Sequence, residues 1–227
     1  MKGFNNDPGW IRRKAEAEDG CSISVGGSLV PSIPPRIARL PKDKRGYPIP
    51  WNVLRGVDDT PIFTVNDQDK HMQALRSNLC PICGERLGKW RWFVGGIRSA
   101  FDPNGAYYDL PGHHECETFA LQICPYLALP VYLGRIDVPD PAKLPPGMVT
   151  TNITMIPERP DVFVSVASDG LEIIGLNDNA GTPVIRPRKP YLAYEFWLHG
   201  AEITALQALP ILRKTLGEEF ELPEVRR

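Results

Sequence analysis

The sequence lacks most of the features that commit a chain to a known chemistry. No apolar run approaches the ~20 residues that a membrane-spanning helix requires, and the net charge is only −1. A chain so nearly neutral has no global attraction to nucleic acid or to an anionic membrane, so any such binding must come from a local patch. There is no phosphate-binding glycine loop ending in Lys-Ser/Thr, no dinucleotide fingerprint and no Gly-x-Ser-x-Gly elbow. Internal repeats are also missing. The stretch "MKGFNNDPGWIRRKAEAEDG" contains no apolar signal-peptide core, which leads us to expect a cytoplasmic protein. Disulfides are rare in that compartment, so the five cysteines read first as metal ligands or buried thiols.

What is present suits a folded domain. With 227 residues and 42% hydrophobic content the chain can bury a sizeable core. Proline is abundant, at 24 residues, and is concentrated in 31–50 and between Pro130 and Pro160. Those stretches are excluded from long helices and central strands. The expected organisation has four parts. Residues 1–50 form an N-terminal helix and a proline-rich basic connector, and 51–136 form a zinc-binding module. The linker "DVPDPAKLPPG" occupies 137–147, and 148–227 form a β-hairpin with a C-terminal helix.

Local patterns supply the elements. Asp7, Pro8 and Gly20 bracket a short helix over about 8–19, and 21–27 look extended. "TPIFTV" reads as a strand ending near Val65. Asn66 then caps a helix with Met72, Leu75 and Leu79 on one face, leading directly into Cys80. "KWRWFVGG" and "AYYDL" are expected to be two strands joined by "RSAFDPNG". "HHECETFALQIC" is a helix ending before Pro125. "MVTTNITMI" and "DVFVSVASDGLEIIGL" are β-rich, with a turn at "SDG". "YLAYEFWLHG" is apolar on both faces, as a central strand would be. "ITALQALPILRKTLGEEF" is helical with Thr204 as its cap, and Pro210 either kinks it or starts a second helix. The fold class is α+β.

The cysteines carry the chemistry. Cys80-x2-Cys83 lies in "CPICG", a tight corner that turns both sulfurs toward one point. After 29 residues comes His113-x2-Cys116, whose i, i+3 spacing at the start of a helix puts both side chains on one face. Three sulfurs and one nitrogen suit tetrahedral Zn2+. Corner, hairpin and ligand-bearing helix together are the treble-clef order. His114 is the competing ligand, although its i, i+2 spacing to Cys116 is the poorer one. Cys124 lies ~12 Å along the helix from Cys116 and so cannot share the ion; it reads as a small buried hydrophobe. Cys21 is isolated. Four protein ligands leave no position for water, so the metal is expected to be structural and no catalytic residue is assigned.

At these residues the chain resembles an uncharacterised protein family of phages, prophages and actinobacterial genomes. The resemblance runs over roughly residues 40–215 and rests on "RGYPIPW" (45–51), "LCPICGERLG" (79–88), Phe93–Val94, "HHEC" with "CPYL" (113–127), and "EFWLHG" before a terminal helix. It implies His113 and Cys116 as ligands, Cys124-Pro125-Tyr126 as a structural corner, and a phage origin. Residues 95–112 depart from that family's glycine-proline-methionine loop.

Three functions follow as expectations. The first is a non-enzymatic, zinc-stabilised binding protein acting on a host protein or a nucleic acid. Its candidate surface combines Trp90, Arg91 and Trp92 with the run 36–45, in which five of ten residues are basic. The bland reading of the same residues is tryptophans in a core and lysines solvating a linker. The second is a virion or scaffold component. The third is a His-Asn-His nuclease with His114 activating water, but "ECETFALQIC" supplies no Asn or further His, and Asn152 and His199 fall elsewhere.

Overall fold

A computed structural model describes residues 31–129, 160–177 and 182–226. The expected helix at 8–19, the extended stretch 21–27 with Cys21, the linker 137–147 and the strand "MVTTNITMI" lie outside the described residues. The architecture is mixed helix and sheet. In chain order the elements are α1 (Pro35–Ala38), β1 (Val53–Arg55), β2 (Pro61–Asn66), α2 (Gln68–Ser77), β3 (Arg91–Gly96), α3 (Ile97–Phe101), α4 (His114–Ile123), α5 (Pro125–Ala128), β4 (Phe163–Ser168), β5 (Leu171–Asn177), β6 (Thr182–Pro187), β7 (Ala193–Leu198), β8 (Ala201–Ile203) and α6 (Ala205–Leu216).

The centre of the molecule is an antiparallel sheet in the order β3-β4-β7-β8. All six residues of β4, "FVSVAS", are buried, so this strand has both faces covered. Alternation sorts the side chains. Phe93, Val164, Val166 and Phe196 enter one cluster with Ile97, Ala100 and Phe101 of α3 and Ala208 and Leu212 of α6. Phe163, Trp197 and Val94 face the other way, onto Leu121 of α4 and onto Tyr126 and Leu127 of α5. The segments 51–136 and 148–227 therefore share one sheet and one core, because β3 pairs with β4 along its whole length.

The expected hairpin of "KWRWFVGG" and "AYYDL" does not form. Ile97, Ala100 and Phe101 are spaced as a helical face, and the chain turns straight from β3 into α3. Tyr107 instead exchanges backbone hydrogen bonds with Ile185 of β6, at 2.8 and 2.9 Å. All that pairs β3 with the returning chain is one bridge, Trp92 to Gly112. "SDG" does turn the chain, but β4 and β5 do not pair across it. Both edges of β4 are taken by β3 and β7, so β5 pairs with β6 in a separate ribbon.

Other expectations hold more closely. β2 ends at Asn66, one residue past Val65, and β7 lies inside the sheet between β4 and β8. Thr204 caps α6 in a full capping box with Gln207. The helix runs through Pro210 unbroken. The carbonyl that Pro210 leaves without a backbone donor belongs to Leu206, a residue 83% exposed, where water can satisfy it. The cap of α2 is Asp67, whose side chain accepts from the Lys70 amide at 3.1 Å, because Asn66 completes β2. His71 and Ala74 are the fully buried residues of α2, and Leu75 and Leu79 of the expected face pack partly buried against the same core as Ala74.

His71 is only 2% exposed, and neither ring nitrogen has a hydrogen-bond partner. Burial lowers its pKa. A histidine that folding makes less basic binds more protons in the unfolded chain, so its contribution to stability is present above the unfolded value of about 6.5 and is lost as pH falls through it. Urea unfolding of His71→Leu against the parent, at a series of pH values, should show the parent losing more stability on acidification below pH ~6.5. Parallel pH curves would show that His71 is not a source of acid sensitivity.

Candidate metal centre

Each half of the site is set by local backbone rules. Helix α2 ends at Asn78 in the left-handed region, with φ 55°. The chain then folds into a tight loop closed by a bridge between Leu79 and Arg86. Inside it the Cys80 amide donates to the Glu85 carbonyl, and the Gly84 amide to the Cys80 carbonyl, both at 2.8 Å. Gly84 has φ +77°, and a Cβ there would lie 2.8 Å from the Trp51 ring, so only glycine fits. Trp51 and Asn52 donate their amides to the Ile82 and Pro81 carbonyls and hold the loop from behind. The end of "RGYPIPW" therefore braces the cysteine corner.

The second half is the start of α4. His113 is its N-cap, with φ −72° and ψ 147°, and Cys116 lies in its first turn. The ligand atoms of Cys80, Cys83, His113 and Cys116 all lie within 4.8 Å of one another. His113 Nδ1 is 3.4 Å from Cys83 Sγ and 3.9 Å from Cys116 Sγ. With Zn–S near 2.3 Å and Zn–N near 2.0 Å, a tetrahedron has edges of about 3.6–3.8 Å, so the donor set matches a single small ion. The other ring nitrogen, Nε2, is 3.1 Å from the Arg86 carbonyl. Since a carbonyl only accepts, Nε2 carries the proton and Nδ1 presents its lone pair to the sulfurs. That is how an outer partner fixes the tautomer of a ligating histidine.

The protonation pattern also fits a cation. Cys80 and Cys116 are fully buried, and Cys83 is half-buried. Hydrogen bonds from Cys116 and Cys80 hold the Cys83 thiol well below its ordinary value. Cys116 is pushed up by its bonds to Cys80 and Cys83 and by burial. At Cys80 the bond from Cys116 acts downward, but the bond to Cys83, burial and the charges of Glu117 and Cys83 outweigh it and raise the thiol to about 12. Crowded and buried together, the three thiols oppose one another's ionisation, and a divalent cation at the centre would allow all three to ionise.

The surroundings tie the halves together. Ile37 of α1, Leu87 and Phe119 of α4 form a small apolar cluster with the buried cysteines. Arg36 pairs with Glu85 in the corner and, at 2.6 Å, with Glu115 on α4; Arg39 also pairs with Glu85. Arg45 pairs with Asp43. Three of the five basic residues in 36–45 are thus engaged in ion pairs, and the run is largely a structural clamp. Of the two tryptophans, Trp92 is core and Trp90 is 51% exposed.

His114, the competing ligand, points elsewhere. Its Nε2 is 2.7 Å from Glu195 Oε1 on β7, and its ring lies 4.2 Å from that of Trp92. Cys124 sits at the far end of α4, where α5 begins, and Tyr126 packs edge-on against Phe163. None of Cys80, Cys83, Cys116 and Cys124 is in a disulfide. Sequence reasoning missed Glu117, which is buried beside the site. Burial first, then the charges of Asp109 and Cys83, push its carboxyl well up. A Cβ on Gly112 would lie 2.2 Å from its Oε1, so the bare backbone of Gly112 makes room for it.

Comparison with family models, with curated proteins and with solved structures finds no match.

Cys83→Ser should lose bound metal, whereas His114→Ala and Cys124→Ala should keep it at the parent's stoichiometry, as read by elemental analysis of purified protein. Metal retained by Cys83→Ser, or lost from either of the others, would overturn the ligand set.

Proposed function

We propose that the chain is a non-enzymatic binding protein whose folded shape is stapled by one structural Zn2+ held by Cys80, Cys83, His113 and Cys116. The observation that carries this reading is the convergence of four donors, with His113 Nδ1 turned to the sulfurs by the Arg86 carbonyl. Three thiolates and an imidazole are the ligands of a closed tetrahedral zinc site, and a closed site has no position for a reacting water. Corner, strand β3 and ligand-bearing helix form a reduced treble clef, with the Trp92–Gly112 bridge in place of a full hairpin.

The metal's role is to reinforce a join that the apolar cluster and Arg36 also make. It fastens the corner after α2 to the start of α4, and α4 in turn lies on the sheet. Metal affinity then adds directly to folding free energy. The resemblance to phage and prophage proteins supports a role in a host cytoplasm, acting on a host protein or nucleic acid. The nuclease alternative is disfavoured by His114, which is committed to Glu195 and Trp92, and by α4, which carries no further histidine or asparagine.

One zinc per chain is expected. Replacement by Co2+ should give the intense visible bands of a tetrahedral site with sulfur-to-metal charge transfer. A strong chelator should remove the metal and lower the unfolding midpoint, with recovery on adding Zn2+. A chain that purifies metal-free and fully folded, or a Co2+ spectrum of a six-coordinate ion, would sink the proposal.

A further inference from the structure

Three of the five basic residues at 36–45 are held in ion pairs, and a second group of arginines gathers elsewhere. At the end of the β3–β4 pair, three arginines from distant parts of the chain meet at one residue, Asp169. Arg91 donates from an Nη to the Asp169 carbonyl at 3.2 Å. Arg226 is hydrogen-bonded to Asp169 Oδ2, and Arg188 has an Nη 3.9 Å from Oδ1. Two positive charges thus share the one carboxylate, while Arg91 holds the backbone beside it. The Asp169 carboxyl is held below the ordinary carboxylate range, first by the Arg226 hydrogen bond, against some burial, and then by the charges of Arg226 and Arg188.

The arginines are held in place yet open. The Arg188 guanidinium lies so close over Gly170 that a Cβ there would be 2.9 Å from its Cζ, and the Arg188 carbonyl accepts from Ser168 Oγ at 2.8 Å. Arg226 is anchored by its amide, which donates to the Tyr191 carbonyl at 2.7 Å. The side chains of Arg188 and Arg226 remain 56% and 42% exposed. A guanidinium has five N–H donors, and these contacts use only a few of them. Trp90 is the residue before Arg91, whose partner Ser168 precedes Asp169, so the chain brings Trp90 to the same end of the β3–β4 pair. Trp90 is 51% exposed, a large aromatic surface with no place in the core.

We propose that Trp90 with Arg188 and Arg226 forms a binding surface for single-stranded nucleic acid, in which a base stacks on the indole and backbone phosphates lie against the two guanidiniums. This rests on reading the chain as a binding protein and names its partner class. Stacking on a side chain requires an unpaired base, which selects single strands over duplex, and arginine forks match phosphate oxygens. Asp169 orients the two forks while cancelling only one of their two charges. A patch of this kind needs no help from net charge.

The test is fluorescence anisotropy of a short labelled oligothymidylate, and of its RNA counterpart, titrated with the metal-loaded full chain at low and moderate salt. Binding should weaken with salt, with a log–log slope of about −0.7 per phosphate engaged. Arg188→Ala combined with Arg226→Ala should weaken binding at least about tenfold and flatten the slope by about 1.4, the share of two phosphates. Trp90→Ala should weaken it about tenfold with the slope unchanged, since stacking releases no counterions. All three positions are exposed and none is a metal ligand, so zinc stoichiometry measured in parallel should not move. No binding at low salt by a folded, zinc-loaded chain would overturn the surface while leaving the metal reading intact. So would binding indifferent to Trp90→Ala or to the arginine pair, duplex bound as well as single strand, or a phosphopeptide bound in its place. A chain without zinc would fail the earlier proposal instead.

Discussion

The rest of the structure depends on four donor atoms being brought within 4.8 Å of one another by two stretches of chain that begin 33 residues apart, at Cys80 and His113. Three sulfurs at that spacing repel once ionised, and the alternative of three buried thiols gives little back for the crowding. A divalent cation changes the sign of the interaction. The backbone around the site is arranged for this outcome. Gly84 takes a positive φ against Trp51, and Arg86 offers a carbonyl to the outer nitrogen of His113. The cost of shaping the corner is met in hydrogen bonds that exist before any ion binds.

That corner acts on the sheet through α4. His113 and Cys116 fix the first turn of the helix; a turn further on, Phe119 closes the apolar cluster around the cysteines. Leu121 reaches the opposite side and packs on Phe163 and Trp197. His114 bonds Glu195 on β7 and stacks on Trp92 of β3, so adjacent histidines divide the work: one faces the sulfurs, the other the sheet. Arg36 adds a second link between corner and helix through Glu85 and Glu115. Surface ion pairs contribute little one at a time, but a guanidinium shared by two elements orients both.

How legible this was depended on the range of each signal. That Cys80, Cys83, His113 and Cys116 cluster was readable because Cys-x2-Cys and His-x2-Cys are local spacings with strict geometry. The cap at Thr204 and the strand over Ala193–Leu198 were readable for the same reason. Partnership between strands was not. "KWRWFVGG" and "AYYDL" both look extended, and nothing in either says that Arg91–Gly96 pairs with Phe163–Ser168, far along the chain. The hairpin expectation assumed that neighbours in sequence are neighbours in the sheet, and it missed that Ile97, Ala100 and Phe101 have helical spacing. Asn66 was expected to cap α2, but it completes β2 and the cap passes to Asp67. The ion pairs of the basic run were not legible because charge counts carry no information on partners: Glu85 and Glu115, which pair with Arg36 and Arg39, lie in other segments.

The same long-range pairing that hid the fold from the sequence also creates the second arginine cluster. Arg91, Arg188 and Arg226 belong to three segments with no local pattern in common, and only the β3–β4 register and the return of the C-terminal segment to Tyr191 bring them to Asp169. The cysteine corner and this cluster use their arginines differently. Arg36 and Arg39 close on Glu85 and Glu115 around the four clustered donors. Arg188 and Arg226 share the single carboxylate of Asp169, which sets their direction, and both side chains stay about half open to solvent. Charge that stabilises a fold is paired and silent; charge that recognises a partner must be oriented and left in excess. If Arg188 and Arg226 take phosphates, the two kinds are separated in this chain: the first lies beside the cysteines, the second at the Asp169 end of the β3–β4 pair.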